Sequence, residues 1–143
     1  MEEVINKNHR TVKIIYWIST LIVALFELIG ALYMNSEMAI EGMHHLMLPN
    51  WFRWEVSIGH LIGGILLIVP VPPRIKEWVY VAFVIDFISA CIAYWHIDGF
   101  GANAISPLIM LTLLIISYIC YHKIKNEIII NRKTSPVTTE LIN

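Results

Sequence analysis

Glu27, His60, Asp86 and His96 are ionisable residues set inside long apolar runs of the chain. An ionisable group in hydrocarbon is expensive, so it normally faces the interior of a helix bundle and marks a site of binding, pairing or proton transfer. Counted at about 1.5 Å of helical rise per residue from the inner boundary, Glu27 lies about 20 Å up, His60 about 15 Å and Asp86 about 13 Å. These three therefore share a layer near the midplane, with His96 higher, towards the outer surface. Two carboxylates and an imidazole in one layer can hold a ligand head group or pass a proton. They can equally hydrogen-bond one another and fix helix register.

Helical phase adds neighbours to each. Asp86, Ser89, Ala90, Ala93 and His96 fall within roughly a third of the helix circumference at 3.6 residues per turn, a face expected to point inward. Thr20, Ala24, Glu27 and Ala31 share another face, and Gly59, Gly63 and Gly64 accompany His60. Gly59 and Gly63 have the GxxxG spacing that lets helices approach closely in lipid. The ligand- or proton-site candidates are thus Glu27, His60, Asp86, Ser89 and His96. Two histidines and two carboxylates could ligate iron or zinc. No Glu-x-x-His pair lies within the four long apolar runs, unlike di-iron bundles, and no metal is expected. Met38, Met43, His44, His45 and Met47 are soft-metal ligand types, but their irregular spacing reads as ordinary methionine packing. Phosphate-binding glycine loops, nucleophile elbows, zinc-protease motifs and CxxC pairs are absent. So are a haem ligand pair and a cysteine set for an iron–sulfur cluster. No catalytic residue is assigned.

The elements that must position these residues follow from composition. The chain has 143 residues, 57% hydrophobic and 15% charged, with a mean hydropathy of +0.67. An ordinary soluble domain is about half apolar and about a quarter charged. A bilayer core about 30 Å thick needs about 20 apolar residues per helix, and four runs qualify, at about 14–34, 54–69, 78–97 and 105–121. Backbone polar groups cannot face lipid unsatisfied, so the runs must be helices. The expected fold is an all-α, antiparallel four-helix transmembrane bundle. The first run is too long for a signal-peptide core and no cleavage site follows it, so it reads as retained.

Nine of the ten basic residues fall on the side holding both termini and the middle loop, and only Arg53 on the other. Basic loops stay inside, so both termini are expected in the cytoplasm and the protein in the cytoplasmic membrane as a multi-pass chain. All eleven Trp and Tyr residues fit two interfacial belts, with Tyr16, Trp17, Trp78, Tyr80, Tyr118 and Tyr121 at the inner one. Residues 1–13 form a cytoplasmic segment and 123–143 a cytoplasmic tail, a short helical extension fraying into disorder. Ser36 and Pro49 bracket a short surface helix in the longest outer loop, and Pro70 to Pro73 make a tight inner turn. Cys91 and Cys120 lie at different heights and read as buried thiols rather than a disulfide. A formal charge of −1 gives no basis for nucleic-acid binding.

The segment Pro70-Val71-Pro72-Pro73-Arg74-Ile75-Lys76-Glu77-Trp78-Val79-Tyr80-Val81-Ala82-Phe83 resembles the most recognisable stretch of the DoxX-like family, where a proline turn, Lys-Glu-Trp and Tyr-x-x-Phe open the third helix. Tyr16 to Thr20, His45-Leu46 with Pro49, Asp86, His96, Pro107 to Ile109 and Ser117-Tyr118 are further points of similarity. The chain departs from the family at His60, where many members have Lys, and at Glu27, where small or apolar residues are common. The resemblance implies a four-helix bundle in the cytoplasmic membrane and an association with quinone or redox metabolism. It also implies an accessory or assembly role beside another membrane protein. The expectation is a non-catalytic subunit with a small polar cavity in the membrane. Its partners would be the lipid bilayer and either another membrane protein or further copies of itself, and quinone is its only candidate cofactor. A membrane enzyme acting on a quinone or lipid, and a small proton-coupled exporter using Glu27, are the alternatives.

Overall fold

The structure is a computed structural model describing residues 2–134, with side chains described over 10–130. It is all-α, with five helices: α1 (Glu2–Leu32), α2 (Glu37–His45), α3 (Asn50–Ile68), α4 (Pro73–Asp98) and α5 (Ala102–Thr134). Local chemistry sets their ends. Ser36 caps α2, its Oγ accepting from the Ala39 N–H at 3.2 Å, which satisfies one of the orphan donors of a first turn. Pro49 and Pro72 stand just before α3 and α4, and Pro73 is the first residue of α4, where its missing N–H loses nothing. Gly99 ends α4 at φ 75°, a conformation open to glycine at no steric cost.

The apolar runs expected from composition lie inside longer helices. α1 starts at Glu2 rather than near residue 14, α3 at Asn50 and α4 at Pro73, and α5 continues to Thr134 through the apolar Ile128–Ile130 patch. The expected fraying of the tail falls on residues 135–143, outside the described residues. Among the described residues, three segments are long and apolar enough to cross a membrane: Arg10–Leu32, Pro73–Asp98 and Ala102–Ile130. α3 is not among them, since Arg53, Glu55 and His60 lower the hydropathy of its N-terminal part.

α1 packs against α3 and α5, and α4 against α5 and α3, so these four helices close a ring. Val23, Ala24, Leu67, Phe83, Phe87 and Leu114 fill its centre. Large aliphatic and aromatic side chains elsewhere on α1, α4 and α5 face outward, among them Ile18, Phe26, Ile85, Ile92, Ile109 and Ile119. Such an apolar exterior marks contact with lipid or with another protein.

Two glycines allow the ring to close. A Cβ at Gly63 would sit 2.7 Å from the Phe83 ring, and one at Gly64 would sit 2.9 Å from Leu28 Cγ and 3.3 Å from the Ala24 carbonyl oxygen. Gly63 thus brings α3 onto α4, and Gly64 brings it onto α1. Gly59 meets nothing within 4 Å. The close approach therefore uses adjacent glycines facing two partners, and not the GxxxG spacing read from the sequence. Cys91 and Cys120 are buried free thiols.

Candidate functional site

Glu27 lies on the α1 face that also buries Thr20, Ala24 and Ala31, the face expected from helical phase. His60 comes from the middle of α3 and Asp86 from the middle of α4. His60 Nδ1 is 2.8 Å from Glu27 Oε2, and its Nε2 is 3.1 Å from Asp86 Oδ2. The imidazole therefore bridges two carboxylates donated by two other helices. Burial is graded along the chain: the side chains of Glu27, His60 and Asp86 are 1%, 22% and 31% exposed. Phe83 lies beside the imidazole, with ring centroids 6.3 Å apart.

The proton count limits what this chain can be. A neutral imidazole has one donor and one acceptor nitrogen, whereas a carboxylate only accepts. Both contacts are hydrogen bonds only if the ring is the imidazolium or one carboxyl carries a proton. Glu27 Oε1 is buried with no hydrogen-bond partner, and a buried polar atom left unpaired calls for an explanation. The arrangement can hold and move a proton between Glu27 and Asp86 through His60, and it can bind a group that satisfies Glu27 Oε1.

Ser89 and His96 are not brought to this chain. Both are exposed on α4, and neither makes a side-chain hydrogen bond among the described residues. The buried stripe of α4 runs through Lys76, Val79, Tyr80, Phe83, Phe87 and Cys91, not through the small and polar face expected to point inward. The stacked rings of Phe83 and Phe87, 6.0 Å apart, occupy the inner side. Asp86 is left at the flank between α3 and α4, with Ser89 and His96 turned outward.

A second polar cluster went unread in the sequence. Thr20 Oγ1 and Ser117 Oγ are 2.6 Å apart, and Tyr80 Oη lies 2.8 Å from Ser117 Oγ. Tyr80 is 2% exposed, so it is a core residue and does not join an interfacial belt. The tyrosine rings of residues 16, 80, 118 and 121 pack on one another around this cluster. Hydroxyls carry little signal in an apolar run; Thr20, one turn pair below Glu27 on the same face, was the available hint.

The Lys-Glu-Trp segment has structural work. Lys76 Nζ donates to the carbonyl oxygens of Leu66, Leu67 and Val69 at 3.1, 2.5 and 3.3 Å. A cation there satisfies orphan carbonyls at the C-terminus of α3. Glu77 Oε1 meets His122 Nε2 of α5 at 3.0 Å, and Trp78 stands exposed. At the other end, Arg53 Nη1 donates to Met34 O and Asn35 Oδ1, and His45 pairs with Asp98, which also accepts from Asn103.

Two clefts lie elsewhere. One of about 380 Å³ is lined by Tyr16, Trp17, Lys76 and Tyr121 with the α3–α4 turn. Another of about 240 Å³ lies between Gly63, Leu66, Trp78 and Phe83. Neither is lined by Glu27, His60 or Asp86; the triad is exposed only through His60 and Asp86, at the flank between α3 and α4.

A sequence model of the DoxX-like family matches residues 17–117, a span that contains Glu27, His60 and Asp86 and ends at Ser117. No curated protein and no solved structure matches the chain.

Proposed function

The chain belongs to the DoxX-like family, and from that premise we propose that it is a non-catalytic accessory or assembly subunit of the cytoplasmic membrane. It is a membrane protein of that family, with three helices able to cross a bilayer. In the proposed topology α3 crosses as well, giving an antiparallel four-helix transmembrane bundle with both termini in the cytoplasm. Two features support this. α3 is built into the ring between α1 and α4. Arg10, Lys13, Arg74, Lys76, Lys123 and Lys125 gather on the proposed inner side, against Arg53 alone outside.

The observation that carries the role is the Glu27–His60–Asp86 chain, drawn from three helices and ending in a buried, unpartnered carboxylate oxygen. A network serving register alone gains nothing from leaving Glu27 Oε1 unpaired at a cost of about 1–3 kcal/mol. We therefore read the triad as a ligand and proton site. A ligand reaches it from the flank, where His60 and Asp86 are partly exposed. Quinones are the ligand class that the family resemblance implies, and His60 could exchange a proton with an oxygen of such a molecule.

Native mass spectrometry of the protein extracted from its own membrane in mild detergent tests this reading. A bound small molecule or a co-purified membrane protein is expected. If a bound molecule is found, Glu27→Gln and Asp86→Asn should weaken its retention. A chain that leaves the membrane alone and empty would overturn the proposal and leave a register network.

A further inference from the structure

The unpartnered Glu27 Oε1 belongs to a side chain that is 99% buried by its 1% exposure. Beside it, Glu27, His60 and Asp86 each offer one ligand atom, and these atoms all lie within 4.8 Å of one another. α1, α3 and α4 supply one residue each, and among the described residues no fourth ionisable side chain pairs with them. Charge gives a separate argument. With both carboxylates ionised and the imidazole neutral, the group carries two negative charges where an uncompensated charge is strongly unfavourable. Two protons neutralise it, and so does one divalent cation.

We propose that Glu27, His60 and Asp86 form a binding site for a divalent transition-metal ion of the zinc type, which takes the place of two protons. The proposal rests on the reading of the triad as a ligand and proton site. Two oxygens and one imidazole nitrogen suit zinc, iron(II) or manganese(II), whereas copper(I) prefers sulfur ligands. Calcium requires six to eight oxygens, which this site does not offer. Bonds from zinc to nitrogen or carboxylate oxygen are about 2.0–2.2 Å, shorter than the present spread of the three atoms requires. Binding therefore draws the side chains together by rotation, and the partial exposure of His60 and Asp86 leaves them room to turn. Three protein ligands also leave a coordination position open on the flank side. The sequence has no metal motif because the ligands come singly from three helices, so no fixed spacing records them.

The test uses the full chain in detergent, freed of metal with a chelator and titrated with Zn²⁺ alone, then with Co²⁺ to read coordination from its visible absorption. One ion per chain is expected, with release of about two protons because the ligands must be deprotonated to bind. Removing one ligand in E27Q, H60Q or D86N should weaken binding by more than the roughly 10- to 100-fold caused by losing an outer-sphere partner. Each variant is first shown to be helical and monodisperse, so a loss of binding is not a loss of fold. Equal weak binding in wild type and variants, or no binding, would overturn the metal site. Infrared difference spectra across a pH titration separate this from the underlying reading. A carboxyl band present in wild type and absent in E27Q, with no zinc bound, leaves the proton site standing and removes only the metal. Absence of both removes both.

Discussion

Replacing His60 by leucine exposes the energetics of the triad most directly. Among the described residues the imidazole is the only partner of Glu27, whose second carboxylate oxygen is already unpaired. His60→Leu therefore leaves a 1%-exposed carboxylate with no hydrogen bond at all. Removing one partner of a buried ion pair typically costs about 3–5 kcal/mol. If Glu27 takes up a proton instead, the unsatisfied acid still costs about 1–3 kcal/mol. A second substitution, Glu27→Leu, should recover most of the loss, because replacing both partners with apolar groups of similar volume is close to neutral. The two changes are thus strongly non-additive, with an expected coupling of about 2–3 kcal/mol, inside the range for residues in direct contact. Reversible unfolding of the four proteins in mixed detergent, followed by circular dichroism, measures the cycle. Additive losses, or a His60→Leu protein as stable as wild type, would show that Glu27 does not depend on His60 and would refute the argument.

Gly64→Ala should lose about 1–3 kcal/mol in the same assay, since its Cβ would press on Leu28 and the Ala24 carbonyl. Gly59→Ala, with nothing within 4 Å, should be neutral or stabilising by up to about 1 kcal/mol through helix propensity. Lys76→Met removes three hydrogen bonds to the end of α3 and should cost about 2–3 kcal/mol. It should also speed amide hydrogen exchange over Leu66–Val69; unchanged exchange there would refute the cap. Tyr80→Phe loses its contact with Ser117 and should cost about 1 kcal/mol. Single cysteines introduced at Arg74 and at Gly101 should be labelled from opposite sides of the membrane, and labelling from one side would refute the four-span topology.

The amino-acid sequence by itself determined the all-α class, because long apolar runs in lipid admit no unsatisfied backbone. It also determined the positions of the breaks, since Ser36, Pro49, Pro72 and Gly99 act through local geometry that needs no partner. The inward face of α1 was legible for a similar reason: Thr20, Ala24, Glu27 and Ala31 are small or polar against a background of Ile, Leu and Phe, and the structure buries all four. On α4 the same reasoning failed. There the inward stripe is set by aromatic volume, with Phe83 meeting the flat gap left by Gly63, and this contact turns Ser89 and His96 outward. Periodicity reports which residues share a face, but which face turns inward depends on the shape of the neighbouring helix. Three further features required the tertiary structure. They are the burial of Tyr80 with Thr20 and Ser117, the Lys76 cap on α3, and the joining of Glu27, His60 and Asp86 into one chain. Each pairs residues from different helices, and the contact depends on helix rotation and height to within a hydrogen-bond length, a precision that residue spacing along one chain does not encode.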